Sequence, residues 1–470
     1  MKRYWYWVVF GLALTLRLSY TLFYSQDRLL HIDEWSYYQL VHDFWLAGTD
    51  RPFTHHPPVY PLLMLGIFKV FGVSFVALQI VQCILGGLVA LFIILIARQL
   101  SLEKAGLIAA LIYAVYPGAI TMPAMVMSET LFTFLLISAV WVFIKALNRI
   151  ATTDKHRLTQ IIPLLAISGL LFGFTALTRS VGLGLPFLMA IYLIIRKCKK
   201  LTGTHESQDN HHEFRLDALC ASVARRLILP LIFLLAFSLP LIPWALRNHR
   251  LTGHFMAGST SSGITFYWHN TPLMWQPGSD YISRNIKLSD LKNYSGLEGR
   301  PLPTQAWHPL IKQMQDKFTG KPDDFARSRF FMQEGLKYLG DLSFYDIIKL
   351  KLTKLWRLIL PYHRFYNPGY DFIFISLLPF FIYGLYLMLF KASLFPDKQY
   401  FILAILLGYF ILITLVFGGM PRYRYPYDPY IFIIAVTGFL EYLNQNRKRW
   451  LFPAIWAGLN IGITVLLLFM

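Results

Sequence analysis

The chain has 470 residues, of which 56% are hydrophobic, 16% aromatic and 15% charged. Soluble domains carry roughly 25% charged residues, so this composition excludes a soluble protein and marks a polytopic membrane protein. The net charge of +19 does not call for nucleic acid, because much of the basic excess lies in short loops between apolar runs.

Eleven apolar stretches follow one another, near 4–24, 74–97, 105–119, 124–146, 160–177, 180–196, 227–246, 370–390, 400–417, 425–442 and 451–469. The first begins MKRYWYWVVFGLALTLRLSYTLF. It resembles a signal peptide but lacks a small-residue cleavage site, and it reads as a retained span. With the N-terminus inside, the inside segments collect Lys2, Arg3, Arg98, Lys104, Lys145, Arg149, Lys155, Arg157, the cluster Arg196 to Lys200, Arg215, Arg225, Arg226, Lys391, Lys398 and Arg447 to Arg449. The short outside loops hold Arg28, Arg51, Arg179, Arg422 and Arg424. The asymmetry is about fourfold and sets the orientation, with the C-terminus outside. Cys83, Cys198 and Cys220 fall away from the outer loops, so no disulfide framework is implied. The inside loop 197–226 reads as polar and mobile, and its His205, His211 and His212 lack a recognised metal-ligand spacing.

These readings give an all-α polytopic membrane protein of about eleven transmembrane helices, with juxtamembrane amphipathic helices and a larger outer-face loop region. Residues 1–246 form an N-terminal catalytic module with a first outer loop at 25–73. Residues 247–369 form an outer loop region, and 370–470 hold the C-terminal helices.

In the first outer loop, DEWSYYQLVHDFWLA (33–47) has helical periodicity, with Trp35, Tyr38, Val41, Phe44 and Trp45 on one face. It predicts a helix at the membrane surface with its aromatics toward the headgroups. Asp33 stands where an N-cap would, and Glu34 suits the positive end of the helix dipole. That structural role is the plain reading of the pair. Next, THHPPVYPLL (54–63) brings His55 and His56 to the same surface before a short helix at 59–71. Glu129 opens the fourth span, Arg179 lies between the fifth and sixth, Arg247 and Arg250 close the seventh, and Arg422 and Arg424 join the ninth to the tenth. All fall at one membrane face. Charges at membrane depth are costly and usually functional. Carboxylates beside arginines suggest a reaction centre next to a phosphate site.

The acidic pair, the double proline opening a juxtamembrane helix, the PW-x-x-RN-x-R end of a middle span and the late RYRYP resemble the GT-C superfamily of integral-membrane glycosyltransferases. Within it, the chain resembles the protein O-mannosyltransferase-like branch, which includes lipid A aminoarabinose transferases. The resemblance runs over roughly residues 1–440. It implies a polyprenyl-phosphate-linked sugar donor, an acceptor that is a lipid, a protein or a glycan, and inverting transfer on the periplasmic face of a bacterial inner membrane. Asp33 is implied as base, with Glu34 as the second acid. Donor phosphate contacts are expected from Arg247, Arg422, Arg424, Arg179 and His56, and substrate contacts from Glu129, Tyr60, His269 and Asn270. His55 and His56 replace a Glu-Lys pair of the relatives. A divalent ion at His55 is the one cofactor this admits, against a phosphate-binding role for the imidazoles.

The chemistry asks for few groups. A lipid phosphate is already a good leaving group, so a base for the acceptor and cations for the phosphate suffice. Glycoside hydrolysis would need a second carboxyl as acid. A transporter or flippase would place its charges near the bilayer midplane. A lipid-linked glycan polymerase or ligase would not need the first-loop acidic pair. GSTSSGITFYWHNTP (258–272) suits sugar or headgroup contact, or is an ordinary turn region. The stretch 324–359 reads as helices returning to the membrane with lysines toward anionic lipid. Arg17 inside the first span either reaches the phosphate or pairs internally.

Overall fold

The computed structural model describes residues 3–25, 28–29, 32–46, 54–151, 158–195, 213–271, 286–287, 324–359, 362–363, 367–391, 398–445 and 451–469. Each of the eleven apolar stretches is helical. In chain order these are α1 (Tyr4–Tyr20), α4 (Phe75–Gln99), α5 (Glu103–Val115) continued by α6 (Pro117–Thr121), α7 (Glu129–Ala151), α8 (Leu158–Ala176), α9 (Leu185–Ile195), α10 (Glu213–Thr252), α14 (Phe372–Phe390), α15 (Phe401–Phe417), α17 (Asp428–Asn444) and α18 (Leu451–Phe469). Among the described residues, six helices are long and apolar enough to cross a membrane, or seven when α5 and the segment Pro117–Ala124, bent by 61°, are counted as one span. The expected eleven therefore rest on sequence pattern beyond those seven.

Helix packing follows small residues, which let backbones approach where the hydrophobic effect gives no drive between helices. A Cβ at Gly169 or Gly173 of α8 would strike the Phe233 or Phe237 carbonyl of α10. One at Gly384 of α14 would meet the Ile434 carbonyl of α17. The main core joins α1, α4, α5 and α7 to α17.

The outer layer consists of α2 (Ile32–Gln39) with a π-helical continuation Leu40–Leu46, α3 (Val59–Phe71), α11 (Ser261–Asn270), α12 (Asp324–Asp341), α13 (Phe344–Ile359) and the single turn α16 (Pro421–Arg424). The 59–71 helix lies where the sequence predicts it. The aromatic face of α2 does not point to headgroups. Trp35, Tyr38 and Val41 pack with Tyr60, Met64, Phe68 and Phe75 in a buried cluster, because α3 folds back over them. The side chains of Phe44 and Trp45 lie outside the description. The two long outer segments are tied together. Arg28–Leu29 pairs antiparallel with Ile286–Lys287, and Thr260 N donates to the Thr54 carbonyl at 3.0 Å.

The expected polar loop 197–226 is shorter than predicted, since α10 already begins at Glu213. Leu216, Leu219, Cys220, Val223 and Leu227 recur at helical spacing, which the local charge masks. Cys198, His205, His211 and His212 lie outside the described residues.

Candidate active site

Asp33 and Glu34 fall in the first turn of α2, where the helix dipole favours anions. Arg422 comes from α16, opened by Pro421 at its first position. Its Nη1 donates to Asp33 Oδ2 at 2.7 Å. The Arg422 side chain is 6% exposed and that of Asp33 34%, so the carboxylate is the member a substrate can reach. On its other side Arg422 Nε lies 3.9 Å from Glu129 Oε1. Glu129 opens α7, is buried, and pairs with Arg179 Nη1 at 2.6 Å. Arg179 also donates to Ser128 Oγ at 3.3 Å. The Tyr37 hydroxyl donates to the same oxygen at 3.0 Å. Burial pushes the Tyr37 phenol up to about 12, so it remains a donor at neutral pH. The Tyr423 ring lies between the arginines, with the Arg422 guanidinium 5.1 Å and that of Arg179 5.9 Å from its centroid. Four segments far apart in sequence thus meet as two acids and two arginines.

Irregular backbone delivers Ser128 and Glu129, and buried polar groups hold it. Pro117 has no N–H to continue α5. The chain bends there, leaving carbonyls at the end of α5 without helical donors. Arg17 donates to the Tyr113 and Ala114 carbonyls at 3.3 Å each, so its role is internal capping of a broken helix. Gln79 donates to the Ala124 carbonyl at 2.6 Å, and Gln82 to those of Pro123 and Met125 at 2.9 and 2.7 Å. Inside a membrane protein such backbone persists only when satisfied by protein. Glu34 belongs to this scaffold. It is fully buried and Oε1 accepts from Val126 N at 2.7 Å, so it fixes the segment before Glu129 and is not a second accessible acid.

Several expected ligands have other work. Tyr60 is buried and donates to Gln82 Oε1 at 3.0 Å. Arg424 is buried, and its Nε donates to Asp428 at 2.8 Å. Its Nη2 donates to Asp371 at 2.9 Å and Tyr116 at 2.8 Å, and its Nη1 to the Leu358 carbonyl at 3.2 Å. Two carboxylates already compensate it, so it locks α16 against α14 and α17 and is not placed for a donor phosphate. Arg247 lies over the Trp244 ring at 4.5 Å and donates to Asn248 at 3.0 Å. Asn270 bonds the Phe266 and Val416 carbonyls at 2.8 and 2.9 Å and accepts from Lys354 at 2.7 Å. His269 is buried against Gly418, whose φ of +130° and lack of a Cβ make room for the ring.

His55 and His56 do reach the site, and Asp33 acts on both electrostatically. His56 Nε2 shares a hydrogen bond with Ser36 Oγ at 2.8 Å, and the ring stacks on Tyr37. Desolvation holds both imidazoles below their ordinary value, helped by Arg327 at His55 and by His55 itself at His56. They are therefore neutral near pH 7, which corrects the picture of two phosphate-binding cations. Among the described residues no group of three His, Cys, Asp or Glu side chains is placed to hold a metal ion.

Sequence reasoning missed Tyr37, Ser128, Gln79, Gln82 and Tyr423. The two glutamines inside an apolar span were the available signal.

Residues 55–206 match the dolichyl-phosphate-mannose-protein mannosyltransferase family, a segment with Glu129 and Arg179 but not Asp33 or Arg422. No curated protein matches the chain by sequence. The oligosaccharyltransferase of Archaeoglobus fulgidus superposes in its apo form with a TM-score of 0.51 at 18% identity, covering 99% of this chain and 54% of that one. The same enzyme, AglB, with an inhibitory peptide and a dolichol-phosphate gives 0.51 at 16% identity, with 99% and 54% coverage. ArnT from Cupriavidus metallidurans bound to undecaprenyl phosphate aligns at a TM-score of 0.38 and 12% identity, over 94% of this chain and 79% of that one. The chain thus spans about half the length of the archaeal structures it matches. The family match over 55–206 and the shared polytopic fold together bear out the resemblance to the GT-C superfamily of integral-membrane glycosyltransferases.

Proposed function

We propose that the chain transfers a hexose or pentose unit from a polyprenyl-phosphate-linked donor to an acceptor at the outer face of a bacterial inner membrane, with inversion. The observation that carries this reading is the 2.7 Å contact between accessible Asp33 and buried Arg422. A base and a phosphate-binding cation stand side by side, as the chemistry requires. The match to a family named for dolichyl-phosphate-mannose and the dolichol-phosphate held by the archaeal enzyme support a lipid phosphate as the leaving group.

In this mechanism an Asp33 oxygen accepts the proton of the acceptor hydroxyl or amine. The acceptor atom bonds the anomeric carbon from the face opposite the phosphate. The carbon–oxygen bond to phosphate breaks with its electron pair left on the phosphate. Arg422, with Arg179 behind it, meets the growing charge. Arg422 exchanges its bond to Asp33 for one to the donor, which frees the base as the donor arrives. Neutral His56, bonded to Ser36 and stacked on Tyr37, lines the same face. Asp33→Asn preserves volume and removes basicity. Transfer from a polyprenyl-phosphate sugar by the purified, folded variant is expected to fall at least about a hundredfold. Near-normal transfer would return Asp33 to a helix-start role.

A further inference from the structure

Arg422 and Arg179 converge on one oxygen. Arg179 Nη1 lies 2.6 Å and Arg422 Nε 3.9 Å from Glu129 Oε1. Guanidiniums that approach the same oxygen repel each other, and Arg422 acts on Arg179 as a like charge. Asp33 offsets that repulsion while it holds Arg422 Nη1. In the transfer mechanism Arg422 gives up that bond to reach the donor. At that moment another group must keep the two cations side by side.

Tyr423 stands where such a group is needed. It follows Arg422 on α16, and its backbone N–H donates to the Met420 carbonyl at 2.9 Å, closing the turn. Both guanidinium carbons lie over its ring, that of Arg422 5.1 Å and that of Arg179 5.9 Å from the centroid. An aromatic face attracts a cation within roughly 6 Å. Arg422 Nη2 also donates to the Tyr423 hydroxyl at 3.4 Å. The residue is half-buried. Its neutrality matters. A carboxylate in this place would hold the arginines more tightly but would repel an arriving phosphate. An aliphatic side chain would fill the space and attract neither cation.

The ring is itself backed. His269, near the C-terminal end of α11, meets Tyr423 edge to face, with centroids 6.1 Å apart and planes at 72°. His269 is buried, and a Cβ at Gly418 would overlap its ring. The next residue, Asn270, ties this end of α11 to the Val416 carbonyl of α15 at 2.9 Å. Burial, with Lys354, Arg357 and Arg422 nearby, holds the imidazole down to about 3. It therefore meets the ring as a neutral group and adds no third cation.

We propose that Tyr423 is a positioning residue for transfer: its neutral ring holds the Arg422 and Arg179 guanidiniums together while Arg422 passes from Asp33 to the donor phosphate. This role rests on the glycosyltransferase reading and assigns Tyr423 no contact with acceptor or phosphate.

The test is direct binding of a short-chain polyprenyl monophosphate to the full-length protein in detergent, with a melting curve for each variant. Tyr423→Phe keeps the ring and loses the hydroxyl, and it is expected to bind within about twofold of wild type. Pentafluorophenylalanine in place of Tyr423 keeps the shape of the ring and reverses its charge distribution, so the face repels cations. Binding is expected to weaken at least about fivefold relative to Tyr423→Phe, at an unchanged melting temperature. Tyr423→Leu, which has no ring, is expected to weaken with it. Equal binding by the phenyl and pentafluorophenyl proteins would overturn the role, because a ring that only fills space does not sense fluorination. Wild-type affinity in Tyr423→Leu would overturn it too. A wild-type protein that does not bind polyprenyl monophosphate would overturn the donor reading as a whole, whereas binding that ignores the ring overturns only the role of Tyr423.

Discussion

Arg422 and Asp33 stand 389 positions apart in the chain and 2.7 Å apart in space. The contact joins the two ends of the chain at the outer face, because α2 supplies the acid and α16, two spans from the C-terminus in the sequence reading, supplies the cation. Arg422→Lys keeps the charge but loses the planar fork that reaches Asp33 and approaches Glu129 together. Transfer by this variant is expected to drop ten- to a hundredfold, with Arg422→Ala only slightly worse. Donor titrations on both variants check it, and wild-type kinetics in the lysine variant would show that a point charge is enough.

The Glu129–Arg179 pair is almost entirely buried on the carboxylate side. Removing one partner of such a pair leaves an uncompensated charge and costs about 3–5 kcal/mol. Glu129→Gln is expected to lower the melting temperature sharply, and Glu129→Gln/Arg179→Gln to regain part of the loss. A double-mutant cycle on thermal stability measures the coupling. Additive effects would mean the two act independently.

Arg424 separates stability from chemistry. Its guanidinium is held by Asp371, Asp428 and Tyr116. Arg424→Lys is expected to cut the yield of folded protein while leaving the donor KM of the surviving fraction within about twofold of wild type. A selective rise in KM with normal folding would return Arg424 to the substrate.

The histidines give a pH signature. His55, His56 and His269 are held below the usual imidazole value, His269 down to about 3 by burial and by Lys354, Arg357 and Arg422. Below about pH 6.5 the unfolded chain binds protons that the folded one does not. Stability is therefore full above that pH and falls as pH drops below it, by at most about 1.4 kcal/mol per pH unit for each histidine. Melting curves between pH 7.5 and 5.5 should show the fall, reduced in His55→Gln/His56→Gln. Among the described residues no three metal-ligating side chains come together, and chelator treatment is expected to leave transfer unchanged. Loss of transfer restored by a divalent ion would contradict that.

The sequence by itself determined the membrane class, the positions of the apolar helices, the 59–71 helix and the acids and arginines worth watching. These follow from local quantities: hydropathy over one span, helical period and charge between spans. It could not decide which arginine meets which acid. Arg422 and Arg424 are two residues apart on one helical turn and so face different ways. One meets Asp33 and Glu129, the other Asp371 and Asp428. Nor could it show that Glu34 turns inward to Val126 while its neighbour Asp33 stays accessible, or that Lys351 and Lys354 of α13 face α15 rather than lipid. Each of those outcomes depends on a partner tens to hundreds of positions away. Only the packing of the helices brings such groups together, and burial then makes every unpaired charge too costly to leave where it falls.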